Sequence, residues 1–90
     1  MFDDGPVVYI LRCGDNSLYT GWTISLSRRL KLHLEGKASR YTRSRRPLIC
    51  VYVEQCATRK IARQREYAIK QLTRKQKEEL LLSFSAPVTP

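Results

Sequence analysis

The feature that most constrains this chain is its residues 7–13, VVYILRC, a β-branched and aromatic run that is apolar at nearly every position. It stops at Gly14-Asp15-Asn16-Ser17, a dense turn signal, and residues 18–23, LYTGWT, supply a second run of strand formers. The pair predicts a β-hairpin. A strand with one wet face alternates apolar and polar side chains, whereas one that is apolar throughout is covered on both faces. The first strand is therefore expected at the centre of a sheet, with helices on both sides.

The remaining elements follow from capping and periodicity. Ser25 stands where it can cap a helix in which Leu26, Leu30 and Leu34 recur every four residues, and Gly36 ends it. Arg29 and His33, also four apart, share a different face of that helix. Residues 36–47 lack apolar periodicity and read as a basic loop, after which residues 48–55, LICVYVEQ, predict a third strand. One helix between strands two and three returns the third antiparallel to the first. The expected fold is thus α/β (α+β), with a three-stranded antiparallel sheet in order 2-1-3. Thr58 opens a second helix with Ile61, Arg65, Ala68, Ile69 and Leu72 along one stripe, and Thr73-Arg74-Lys75-Gln76 is a capping box that opens another. Residues 83–90, SFSAPVTP, predict a frayed tail, which leaves residues 1–82 as one domain.

Charge sets the class of partner. Seventeen Lys and Arg against eight Asp and Glu give a net charge of +9 in 90 residues, which favours a polyanion. Between residues 28 and 46, Arg28, Arg29, Lys31, Lys37, Arg40, Arg43, Arg45 and Arg46 meet a single acid, Glu35. Arg59, Lys60, Arg63 and Arg65 form a second group just before Glu66. A surface built only for solubility works with mixed charges, so the one-sign concentration points to nucleic acid first and an anionic membrane second. No apolar run approaches the roughly 20 residues that span a bilayer, and residues 1–11 carry acids where a signal peptide begins with bases. The expectation is a cytoplasmic protein with no membrane role. Cys13, Cys50 and Cys56, an odd set without CxxC, fit buried thiols in a reducing compartment. No P-loop, GxGxxG or HExxH is present, so neither a nucleotide cofactor nor zinc is expected.

The hairpin carries a resemblance. Val7-Val8-Tyr9, followed after ten residues by Tyr19-Thr20-Gly21, resembles the two-part signature of the GIY-YIG nuclease superfamily. Further markers follow in order: Arg29 eight residues after Gly21, His33 one helical turn later, the loop Ser39-Arg40-Tyr41-Thr42-Arg43, and Glu66 on a later helix. The resemblance covers residues 7–82 and is closest to the small stand-alone bacterial members. Val7 replaces the first Gly of the signature, and no Asn follows Asn16, where many members carry a late supporting Asn.

The resemblance implies catalytic roles for Tyr9, Tyr19, Arg29, His33 and Glu66. Glu66 would hold one hard divalent ion, Mg²⁺ with Mn²⁺ as the alternative, water and phosphate oxygens filling the other positions. Without the motif, Glu66 reads as an ion-pair partner of Lys70 or Arg63. Tyr9 leads as the general base, supported by Tyr19 and His33. An unperturbed tyrosine is only about 0.3% ionised near pH 7.5, so cations such as Arg29 must favour its anion. Arg29 would clamp the phosphate with paired donors. His33 would share proton transfer, bond a phosphate, or serve as a structural partner. Tyr41 would approach the phosphate or pack the loop, and Trp22 reads as core.

The resemblance implies a Mg²⁺-dependent endonuclease that hydrolyses DNA phosphodiester bonds, with repair or the processing of structured DNA as its setting. Arg28, Lys37, Arg40, Tyr41, Arg43, Arg45 and Arg46 are the expected nucleic-acid contacts, DNA ranking before RNA. The alternatives are a catalytically weak nucleic-acid-binding module and a structural RNA-bound protein. With no second domain to read sequence, targeting is expected from a protein partner or a dimer.

Overall fold

The computed structural model describes residues 5–85. Strands β1 (Val7–Arg12) and β2 (Leu18–Thr23) form the hairpin, and α1 (Leu26–Leu34) and the one-turn α2 (Arg40–Arg43) lead into β3 (Ile49–Gln55). Helices α3 (Arg59–Lys70) and α4 (Arg74–Ser85) follow. The sheet is antiparallel in the expected order, β2-β1-β3, with Tyr9 opposite Gly21 on one side and Val53 on the other.

Central placement buries β1 from Val7 to Leu11, which are at most 1% exposed, and leaves only its last residue, Arg12, half-buried. Strand alternation then divides its side chains between two cores. Val8 and Ile10 join Tyr52, Cys56, Ala62, Ile69 and Leu81, which brings α3 and α4 onto one face. Val7, Tyr9 and Leu11 join Leu26, with Leu30 and Leu48 beside them, which brings α1 onto the other. Each fully buried aliphatic side chain of β1 contributes about 1.5–3 kcal/mol, so this strand anchors both layers.

The helix ends show local chemistry at work. The Thr58 hydroxyl accepts from Ile61 N at 3.1 Å, and Thr73 and Gln76 exchange two bonds, of 2.9 and 3.1 Å, as the capping box requires. Ser25 occupies the cap of α1 without a side-chain cap bond; its own N–H goes to Thr23 Oγ1 at 3.2 Å. Gly36, at φ +76°, takes the left-handed turn that ends α1.

Three expectations are corrected. The loop at 36–47 contains α2, capped by Ser39, whose only buried residue is Thr42. A single turn held by a polar residue leaves no apolar period to read. The inward stripe of α3 is Ala62 and Ile69, flanked by half-buried Arg65, Glu66 and Leu72, while Ile61 and Ala68 face outward. Small Ala62 lets the helix sit close to the sheet and rotates the stripe. Finally, α4 runs to Ser85, three residues into the expected tail; residues 86–90 lie outside the described residues. The cysteines are free, Cys13 and Cys56 buried and Cys50 half-buried, and no helix among the described residues is long and apolar enough to cross a membrane.

Candidate active site

The face of the sheet that carries α1 gathers four of the five expected catalytic side chains. Tyr9 projects from β1, Tyr19 from β2, and Arg29 and His33 from one side of α1. The Tyr9 hydroxyl lies 2.8 Å from His33 Nε2 and accepts from Arg29 Nε at 3.4 Å. The Tyr19 ring meets His33 edge to face at 5.3 Å between centroids, and its hydroxyl interacts with Arg29. Gly21 makes this packing feasible. A Cβ there would lie 2.6 Å from Tyr9 Oη, so the space that glycine leaves is filled by the tyrosine on the paired strand.

The hydrogen bonds form a chain whose direction is fixed at both ends. Arginine only donates, so Tyr9 Oη accepts from Arg29 and must send its own proton to His33 Nε2. Nε2 is then the acceptor nitrogen, and Nδ1–H donates to Thr42 Oγ1 at 2.9 Å. The Thr42 hydroxyl donates in turn to the carbonyl of Ser39 at 3.4 Å, and a carbonyl only accepts. Arg29 is thereby tied, through β1 and back through α1, to the turn that carries the basic loop. Burial supports the same protonation states. His33 is 1% exposed, and desolvation, aided by the Arg29 charge, holds its pKa down at about 4, so the ring is neutral at physiological pH. Desolvation likewise pushes Tyr9 up to about 12, outweighing the lowering effect of Arg29. Tyr9 is fully buried, whereas Tyr19 is half-buried and is the tyrosine of the pair with access to solvent.

Glu66 stands apart from this chain. It is half-buried on α3, its carboxylate pairs with Lys70 Nζ at 3.6 Å, and its charge acts on Tyr9 without direct contact. Among the described residues no three His, Cys, Asp or Glu gather as a metal cluster. A lone, partly exposed carboxylate at the side of a cationic site suits a hard divalent ion that takes its remaining oxygens from water and substrate. The donor chemistry therefore fits Mg²⁺ or Mn²⁺ shared with a phosphate.

A basic rim surrounds the site. Arg29 lines a cleft of about 270 Å³ with Thr23, Ser25 and Arg28, and another of about 300 Å³ with Trp22, Thr23 and Arg59. Trp22 also packs on the α3-side core, as expected. Lys37, Arg40 and Arg43 line an open hollow beside α2. Among the expected phosphate contacts, Arg28, Arg40 and Arg43 are exposed and make no ion pair among the described residues. Lys37 is loosely paired with Glu35 at 3.8 Å. Arg46 is exposed, but one guanidinium nitrogen donates to Leu34 O at 3.1 Å and closes the end of α1. Arg45 is structurally engaged: it bonds Asp15 at 3.0 Å and lies 3.8 Å over the Tyr41 ring. Tyr41 in turn stacks on Tyr19 with centroids 6.0 Å apart, so it packs the loop against the site.

Two residues with a clear place in this geometry were read from sequence only as members of the Ser39-Arg40-Tyr41-Thr42-Arg43 marker, with no role of their own: Thr42, fully buried against His33, and Ser39, which both caps α2 and accepts the last bond of the chain. Neither composition nor spacing assigns either residue a bonding partner. Arg29 also donates to Ala38 O at 3.5 Å, a backbone contact that no side-chain pattern encodes.

Comparison with known proteins places this geometry in context. The GIY-YIG catalytic domain family matches residues 5–79. A UPF0213 protein of Bacillus velezensis is 52% identical over 73 residues, covering 81% of this chain and 74% of that protein. A UPF0213 protein of Clostridium perfringens is 51% identical over 78 residues, covering 87% and 84%. Two solution NMR structures are also similar, each at 40% identity. That of a UPF0213 protein from Bacillus halodurans has a TM-score of 0.61 and covers 91% of this chain and 87% of its own. That of a protein from E. faecalis has a TM-score of 0.64 and covers 92% and 90%.

Proposed function

The chain belongs to the GIY-YIG catalytic domain family, a nuclease superfamily whose members generally use divalent metals, and on that premise we propose that it is a Mg²⁺- or Mn²⁺-dependent endonuclease acting on DNA. The observation that carries this reading is the meeting of Tyr9, Tyr19, Arg29 and His33 from three elements under a basic rim. A purely structural cluster gains nothing from a guanidinium aimed at two tyrosine hydroxyls beside an open cleft, whereas phosphate recognition does.

The roles follow from burial. Arg28, Arg40 and Arg43 hold the strand by its phosphates. Arg29 faces the scissile phosphate and stabilises the charge that builds on it as water attacks phosphorus and the 3′-oxygen leaves. Tyr19, the half-buried tyrosine whose oxygen meets Arg29, is the general base in its phenolate form, which takes the water's proton to become the neutral hydroxyl, in place of Tyr9, which burial keeps protonated. Tyr9, His33 and Thr42 are positioning residues that hold Arg29 at the cleft. Glu66 would hold the divalent ion, which supplies Lewis acidity to the phosphoryl oxygens when bound. Repair or processing of structured DNA is the proposed setting.

The test is cleavage of end-labelled single-stranded, branched and duplex oligonucleotides by the full chain in Mg²⁺ or Mn²⁺, with Glu66→Ala in parallel. Wild-type cleavage that chelator abolishes and Glu66→Ala lacks, together with retained or tighter metal-free binding by the variant, is the expected result. Cleavage by Glu66→Ala at the wild-type rate contradicts the ligand assignment. Binding without any cleavage leaves a nucleic-acid-binding module instead.

A further inference from the structure

Helix α3 has an outward face that the site described above does not use. Lys60, Arg63 and Tyr67 lie along one side of it at spacings of three and four residues, and all three are exposed, Tyr67 at 68%. Arg59 adjoins them. None of these three cations makes an ion pair among the described residues, whereas Arg65 is held by Glu54 and Lys70 by Glu66. The face is continuous with the candidate site, because Arg59 lines the same cleft as Arg29 and Trp22. Glu66 sits at the border between that face and the buried stripe of Ala62 and Ile69.

The composition of this face selects its occupant. A protein partner would want a contiguous apolar patch, and Tyr67 is flanked one turn either way by Arg63 and Gln71. Unpaired cations require a polyanion. A duplex presents phosphates but hides its base faces, so it leaves an exposed ring unused. A single strand offers both phosphates and a free base to stack. From Arg59 to Tyr67 is about 12 Å along the helix, the span of roughly three to four stacked nucleotides at about 3.4 Å each.

Resting on the nuclease reading above, we propose that this face of α3 is a second nucleic-acid track, which carries an unpaired strand away from the cleft with one base stacked on Tyr67. The substrate is then gripped on both sides of the scissile phosphate, by α2 and its loop on one side and α3 on the other, and is single-stranded on the α3 side.

The test measures binding of a fluorescein-labelled single-stranded 16-mer and the matching duplex by anisotropy, in chelator, across a salt series, with the full chain. Tyr67→Ala is expected to weaken single-strand binding roughly 5- to 150-fold with the salt slope unchanged. Tyr67→Phe keeps wild-type affinity, and Tyr67→Ala leaves duplex affinity as it was. Lys60→Gln with Arg63→Gln lowers the single-strand salt slope by up to about 1.4. If both α3 variants bind like wild type while Arg40→Gln with Arg43→Gln loses affinity, the α3 track is refuted and the proposed function stands. Equal weakening of single strand and duplex by Tyr67→Ala refutes the stacking. If wild type binds neither probe, the nuclease reading fails and takes this proposal with it. All of the substituted side chains are exposed, and unchanged thermal melts verify that each variant is folded.

Discussion

Replacing Thr42 with valine tests the directed hydrogen-bond chain at its least replaceable link. The substitution keeps the side-chain shape of a fully buried residue and removes only the hydroxyl. His33 Nδ1–H, itself buried, then has no acceptor in place of the 2.9 Å bond to Thr42 Oγ1. If the ring answers by moving its proton to Nε2, the deficit passes to Tyr9, whose O–H loses the acceptor it now reaches at 2.8 Å. Either way one buried donor is orphaned, which costs about 1–3 kcal/mol. For a domain of this size the melting temperature should fall by roughly 5–20 °C. Thermal unfolding by circular dichroism gives the stability, and ¹⁵N-correlated spectra of the histidine ring give the tautomer. Wild type should show Nδ1–H, and Thr42→Ser should restore most of the loss. A wild-type ring protonated at Nε2, or a Thr42→Val protein within about 0.5 kcal/mol of wild type, would refute the reasoning.

Three further outcomes follow from the same geometry. His33 has a folded pKa near 4, below its ordinary 6.5, so protonation favours the unfolded chain; the stabilisation is complete above pH 6.5 and is lost as pH falls toward 4. The loss, on the order of 3 kcal/mol, should disappear from the stability–pH curve of His33→Gln, and an unchanged curve between pH 6.5 and 4.5 would sink the assignment. Gly21→Ala places a methyl 2.6 Å from Tyr9 Oη, so it should displace Tyr9, lower stability by about 1–3 kcal/mol and reduce cleavage; a neutral effect on both contradicts the packing. Neutralising exposed Arg40 and Arg43 together should lower the salt slope of duplex binding by up to about 1.8, the pair being preferable to Arg45, whose loss would also free Asp15 and Tyr41. A slope that does not move excludes both as phosphate contacts.

Much of the architecture could be read from residues 7–23 because its cause is local and strong. A strand apolar at nearly every step is covered on both faces and so is expected at the centre, and the hairpin followed by one intervening helix leaves strand three antiparallel to strand one, so the order 2-1-3 follows. Strand alternation also places Tyr9 on the face of Val7 and Leu11, where α1 packs. Turn α2 was not legible, since its buried residue is a threonine held by polar bonds to Ser39 and to His33, nine positions away, and not by an apolar stripe. The stripe of α3 was misread because Ile61 outweighs Ala62 on any hydropathy count, yet close packing against the sheet favours the smaller residue. For the candidate site, the resemblance named the residues but said nothing of their exposure. That Tyr9 is sealed and Tyr19 open depends on the register pairing Tyr9 with Gly21, which appears only when the strands are laid side by side.

The central claim is that a phosphodiester bond is broken beside the paired Tyr19 and Arg29 side chains, and single-turnover cleavage by Tyr19→Phe tests it most directly. The ring that stacks on Tyr41 and packs against His33 is retained, so the fold and the metal-free affinity for DNA should match wild type. Loss of the hydroxyl should slow Mg²⁺-dependent cleavage by about 10²–10⁴-fold. Cleavage by Tyr19→Phe at the wild-type rate, with Tyr9→Phe equally active, would show that the chemistry lies elsewhere.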